Sequence, residues 1–204
     1  MPKPALKRDW REYQRESSRL QALIASVGSL EPKHRKLVAE IVMIRLFLLT
    51  ENTIASVCVK ILCGAVYLDG TSPQILVTAN SMSHAEGLMK SHKRPKAKAH
   101  LKWTTSKEIR DNLRLTLDAK DPLFHSVSAN GSQLTEMRFV RNHIAHRSQS
   151  TSVHFRDIIK HYYGGLKQGM TPGMLLLTPA LGPPLLMERY VTYGRVLIKD
   201  LVRA

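Results

Sequence analysis

Cysteine is scarce in this chain: Cys58 and Cys63 are the only two in 204 residues. Two cysteines make no disulfide framework, and this spacing is not a zinc-ligand spacing. They read as free thiols in an apolar run, which suits a reducing cytoplasmic setting. Acidic residues are also few, with 16 Asp and Glu against 31 Lys and Arg and a formal net charge of +15. That balance favours a polyanionic partner, nucleic acid first, over a merely soluble basic surface. The chain lacks a Gly-rich phosphate loop, since Gly164-Gly165-Leu166-Lys167-Gln168-Gly169 has neither the spacing nor a preceding strand. It has no Gly-x-Ser-x-Gly elbow. His143 and His146 stand three apart but have no third ligand nearby, so neither a metal nor a cofactor is expected. No apolar leader follows Met1-Pro2-Lys3-Pro4. The run Ile41–Leu49 contains Arg45, and Glu51 and Lys60 follow it. That pattern predicts a buried helix and no membrane partner. There is no internal repeat.

What is present is a helical pattern. Apolar content of 43% supports one core, and residues 1–204 are read as one domain. Residues 5–28 predict an amphipathic helix with Leu20, Leu23, Ile24 and Val27 inward and a charged face from Lys7 to Arg19. A second helix runs from about Lys33 to Leu49, with Leu37, Ile41, Ile44 and Leu48 on one stripe. Thr50-Glu51-Asn52 either interrupts it or lets it pass, and Ile54–Val66 continues as a helix. Tyr67–Pro73 is a break. Gln74–Thr78 reads as a strand or a helix start, and Ser83–Met89 as a helix. Lys90–Lys102 contains no acidic residue and predicts an exposed basic loop. Trp103 follows it, either stacking on a base or anchoring the loop to the core. Thr105-Ser106-Lys107-Glu108 is a capping box. Asp121-Pro122 and Ser126–Ser132 read as loop, with Ser132 as the next N-cap. Ser148–Ser152 is a polar turn, Val153–Tyr163 a helix closed by Gly164-Gly165, and residues 166–184 an irregular Pro-rich connector. Leu185–Val202 is the last helix, with Leu186, Tyr190, Tyr193, Val196, Leu197 and Leu201 inward. The expected fold is an all-α bundle of about five to seven helices.

The stretch Leu134–Arg147 has no Pro or Gly. At about 100° per residue, Met137, Val140 and Ile144 form an apolar wedge. Arg138, Asn142 and His146 fall at i, i+4 and i+8 and line an adjoining face. Arg141 lies between the two. A charge beside a packing face costs stability unless something pairs with it. It is therefore either half of a structural Arg–carboxylate pair or a guanidinium kept for a phosphate, which its planar fork suits. His146 is near enough in sequence to share such a site and is suited to moving protons near neutral pH. His143 projects away from Arg141 and reads as a solvated surface histidine. Arg147 reads as a C-terminal charge favoured by the helix dipole.

Arg141-Asn142-His143-Ile144-Ala145-His146 resembles the Arg-x4-His signature of HEPN domains, in the form Arg-Asn-x-x-Ala-His. The resemblance implies an all-α, dimerising fold and, in many members, a metal-independent endoribonuclease of toxin–antitoxin or phage-defence systems. It implies Arg141 as the phosphate-holding residue, His146 as general base or acid, and Asn142 as an orienting residue. RNA contacts are expected from Arg138 and from Lys93, Arg94, Lys96 and Lys98 of the basic loop. On one ideal helix Arg141 and His146 diverge by about 140°, so a homodimer with two facing signature helices is expected. An antitoxin or neighbouring defence protein is a further expected partner. Two alternatives stay open: a non-catalytic module that binds RNA, nucleotide or a protein, and a purely structural helical adaptor.

Overall fold

One helix of 31 residues, Pro32–Leu62, carries the rest of the molecule in a computed structural model that describes residues 4–179 and 182–203. At 1.5 Å per residue it is about 46 Å long. The helices in chain order are α1 (Leu6–Ser26), α2 (Pro32–Leu62), α3 (Met82–Ser91), α4 (Ser106–Leu113), α5 (Pro122–Ala129), α6 (Gly131–His146), α7 (Gln149–Tyr163), α8 (Pro172–Leu176) and α9 (Leu186–Leu201). The fold is all-α, as expected, with nine α-helices among the described residues instead of five to seven. Ile75 and Leu117 pair in an isolated antiparallel bridge. Met1–Lys3, where the sequence showed no apolar run, Ala180 and Leu181 of the connector, and Ala204 lie outside the described residues.

The helix α2 does not break at Thr50-Glu51-Asn52. The Thr50 and Thr53 hydroxyls each donate to the carbonyl one turn back, Leu46 and Leu49, at 2.8 Å, so their polar groups are satisfied without leaving the helix. Thr50 also meets the buried Tyr13 hydroxyl of α1 at 2.8 Å. Gly194 of α9 completes this joint. A Cβ there would stand 2.1 Å from the Tyr13 hydroxyl oxygen, so α9 approaches only because the residue is glycine. Asp9 of α1 accepts from Ser56 and Lys60 of α2 at 2.7–2.8 Å.

The helix α2 passes through the core and is apolar on nearly every side, so its periodicity does not single out one inward face. Ala39, Val42, Met43, Leu46 and Phe47 are buried, whereas Leu37 (55%), Ile41 (45%) and Leu48 (49%) are exposed. The stripe noted in the sequence therefore faces outward over the N-terminal half of the helix. By length and composition alone α2 could also cross a membrane, and half of its most apolar window is buried in the bundle.

Other stretches differ from expectation: most of the polar turn Ser148–Ser152 belongs to α7, and Leu23 of α1, read as inward, is exposed. Asp121-Pro122 starts α5 instead of a loop: Pro122 occupies the first turn, where its missing N–H is no loss. The Asp121 carboxylate accepts from the Leu123 N–H at 3.0 Å, the Tyr67 hydroxyl at 2.6 Å and the Gln74 N–H at 2.8 Å. With α5 ending at Ala129, Asn130 caps α6 in place of Ser132, and it does so without a side-chain hydrogen bond. In α9, Val196 is 43% exposed although its spacing placed it inward.

Candidate active site

The helix α6 is held on three sides. Leu134, Met137 and Val140 are buried. Glu136 accepts from the Tyr162 hydroxyl of α7 at 2.6 Å and the Tyr190 hydroxyl of α9 at 2.7 Å. These contacts fix the helix and so fix the direction of its C-terminal half. The helix stops at Arg147, which adopts a left-handed conformation (φ 41°) and donates its N–H to the His143 carbonyl. Such a cap favours glycine, so an arginine there carries backbone strain. Its side chain reaches Glu40 of α2 at 3.7 Å, a partner that its place in the sequence did not suggest.

Arg141 is partly buried against α2. Its guanidinium carbon lies 5.8 Å from the centre of the Phe47 ring, a cation–π distance. One N–H donates to the Asn142 side-chain oxygen at 3.0 Å. Among the described residues, no carboxylate lies within 4.0 Å of it. Of the two readings of Arg141, the structural ion pair is thus not formed. Asn142 orients the arginine, not the histidine. The nearest acidic influence is Glu51, one turn beyond Phe47. Burial raises its carboxyl above the ordinary range, while Arg141 and Arg138 pull the other way and Glu108 adds to the rise. Glu108 behaves differently: burial pushes it up, but the Thr104 and Thr105 hydroxyls together with the Arg138 and Lys102 charges hold it low.

His146 is exposed at the end of α6. His143 is not the solvated residue expected. Its ring stacks on Phe155 of α7 at 4.5 Å, its Nδ1 lies 3.2 Å from the Thr151 hydroxyl, and burial, with Arg147 nearby, lowers its pKa. The phase argument missed this because α7 folds back along that face.

Arg138 opens into a cleft of about 770 Å³ between α4 and α6, where Lys107 and Arg110 join it and Glu108 and Asp111 also line the wall, leaving the cations in excess by one. Phe47, Glu51, Lys107 and Arg110 were not singled out in the sequence. Phe47 and Glu51 are an i, i+4 pair, visible as one face only once α2 is taken as continuous.

The basic loop divides. Lys93 and Lys96 are exposed. Arg94 is turned inward, its side chain 5% exposed, donating to the carbonyls of Met89 at 2.9 Å and Asn112 at 3.2 Å and to that of Asp111. Lys98 bonds Asn112 Oδ1 at 2.7 Å and the Asp111 carboxylate at 2.5 Å. The loop is therefore not exposed throughout. Trp103 is 6% exposed and anchors it to the core. Among the described residues no three His, Cys, Asp or Glu side chains gather closely enough to hold a metal ion.

Comparison of the chain with protein-family models finds no match, and comparisons with curated proteins and with solved structures return none either.

Proposed function

We propose that this chain is a metal-independent endoribonuclease of the HEPN kind, acting in the cytoplasm as a toxin–antitoxin or phage-defence effector. The observation that carries the reading is Arg141: partly buried, aimed by Asn142 and Phe47, and without a carboxylate in contact among the described residues. A desolvated guanidinium with donors unspent suits an incoming phosphate. His146 takes the proton of the ribose 2′-OH as that oxygen attacks phosphorus. Arg141 neutralises the charge gathering on the phosphoryl oxygens. The bond to the 5′-oxygen breaks, that oxygen takes up a proton from solvent water, and protonated His146 returns its proton to solvent. The products are a 2′,3′-cyclic phosphate and a 5′-hydroxyl.

One chain does not bring Arg141 and His146 to the same point, because they diverge along α6. A homodimer brings the arginine of one copy to the histidine of the other. The exposed stripe of Leu37, Ile41 and Leu48 supports this reading, since it borders Phe47 and Glu51 on α2 and apolar surface of that kind marks an interface. An antitoxin or neighbouring defence protein would hold the enzyme silent. A non-catalytic RNA-binding module is the second reading, favoured by the exposed, untethered His146.

The test is a cleavage gel with purified protein in EDTA, beside His146→Ala. Cleavage by wild type alone, with cyclic-phosphate ends and resistance of a substrate 2′-deoxy at the cut position, is expected. Equal activity in both proteins, or activity restored only by magnesium, overturns the proposal.

A further inference from the structure

The α6–α7 seam holds a groove of about 530 Å³ lined by Ser132, Thr135, Phe139, His154, Ile158 and His161. Its wall is a pair of flat rings: Phe139 and His154 lie parallel, 4.0 Å between centres and 8° between planes. His154 is exposed, and Ile158 beneath is 6% exposed. One face of the imidazole is thus covered by Phe139, while the side chain as a whole stays exposed for a second ring to meet. The residue that links this groove to the Arg138 cleft is Thr135, which lines both. On α6, Thr135 stands between Arg138 and Phe139 in angle, so the two clefts flank the ridge carrying Arg138, Asn142 and His146. A cleft bearing Arg138, Lys107 and Arg110 on one side of a ridge and an exposed stacked ring on the other suit a single-stranded nucleic acid, which is held by cations at its phosphates and by stacking of its bases. The volume exceeds that of one base and has an apolar floor, while the Asp157 carboxylate at its rim accepts from an exocyclic amino group.

We propose that the groove between α6 and α7 is a nucleobase subsite, in which a base of single-stranded RNA stacks on the exposed His154 ring while its flanking phosphate lies towards Arg138 and Lys107. The subsite rests on the RNA reading above and adds to it where the base sits. It holds the strand across the ridge, so the scissile phosphate is presented to Arg141 by a fixed neighbour. Bases bearing an amino group bind more tightly than uracil.

The experiment uses short 2′-O-methyl oligonucleotides, each carrying one 2-aminopurine, which cannot be cut through the 2′-oxygen. Stacking quenches the probe. Wild type is expected to quench one position strongly. His154→Ala should weaken binding roughly tenfold, in keeping with the loss of one base–aromatic stack, and abolish that quenching. His154→Phe should retain both, because any flat ring can stack on a base, and thermal melting of both variants separates a lost stack from a lost fold. Unchanged affinity and quenching in His154→Ala overturn the subsite. If wild type cleaves RNA while that variant is unaltered, the subsite falls and the nuclease stands. If the probe is quenched at His154 but RNA is never cleaved, the nuclease falls and the subsite stands.

Discussion

Arg94 and Arg141 are both withdrawn from solvent, and they are held in opposite ways. Arg94 sits where two helices end. Its guanidinium bonds the carbonyl of Met89 in the last turn of α3 and those of Asp111 and Asn112 in the last turn of α4, with the Asp111 carboxylate 3.7 Å away. Those carbonyls have no partner inside their own helices, so one side chain closes two helix ends. Arg141 has one bond, to its own neighbour Asn142, and a phenyl ring beneath it. The comparison teaches that burial alone does not separate a structural arginine from a functional one. The count of donors already used separates an arginine that closes a structure from one with donors left for a ligand.

Substitution should split the two. Arg141→Ala is expected to lower the cleavage rate by about 10²–10³, as for loss of one transition-state donor, and His146→Ala by roughly 10²–10⁴. Both should melt close to wild type, since neither side chain closes a hydrogen-bond network. Arg141→Lys should recover little, because a point charge does not replace the fork. An Arg141→Ala protein that is fully active, or that fails to fold, would erase the distinction.

Arg94→Ala should do the reverse. It leaves helix-end carbonyls without a donor, at about 2 kcal/mol by the usual cost of an unsatisfied buried group. The rate at saturating RNA should stay within about twofold of wild type, less than the tenfold that 1.4 kcal/mol of transition-state energy would bring. Denaturant titration reads the first and single-turnover cleavage the second. Intact stability with lost activity would move Arg94 into the site.

Why the sequence exposed one arginine and hid the other follows from range. The wedge, the polar stripe and the odd place of Arg141 all lie within a few turns of one helix, and 3.6-residue geometry resolves them. Arg94 has its partners 17 and 18 residues away on α4, so the loop looked uniformly charged. His143 was misread for the same reason, its stacking partner Phe155 lying on the next helix. The capping box at Thr105 was legible because it is local: Thr105 accepts from the Glu108 N–H at 3.2 Å. The helix α5 was not, because Asp121-Pro122 signals a turn and a helix start alike, and only the contacts of Asp121 with Tyr67 and Gln74 decide between them. The outward face of α2 was invisible because the helix is apolar nearly all round.

Acid should loosen the Arg94 side first. The Lys98 hydrogen bond, with Arg94 and Arg114 nearby, holds the Asp111 carboxyl below the ordinary Asp range. A carboxylate with a depressed folded pKa adds stability above its unfolded value, near 4, and loses it as pH falls through the folded value. Loop docking, followed by Trp103 fluorescence in a Trp10→Phe background, should weaken below about pH 4. Asp111 is partly open to solvent, so the effect is small. Asp111→Asn should remove this part of the pH dependence, and an unchanged profile would mean the carboxylate does not hold the loop.

The smallest effect belongs to the loop's free charges. Lys93 and Lys96 are exposed, whereas Arg94 and Lys98 are committed to α3 and α4. Replacing all four at once would confuse unfolding with lost contacts, so the informative variant is Lys93→Ala with Lys96→Ala. Each lysine that meets a phosphate releases counterions, and for single strands each lost contact should lower the slope of log K against log salt by about 0.7. Affinity should therefore fall severalfold at low salt and hardly at all at high salt, because screening removes the same attraction. The saturated cleavage rate should not move on the proposal that Arg141 holds the reacting phosphate, since neither lysine lines the Arg138 cleft. A salt slope equal to that of wild type would show that RNA never reaches the loop. A loss of saturated rate with binding preserved would place Lys93 or Lys96 beside the chemistry, and Arg141 would then not be the only cation held for the phosphate.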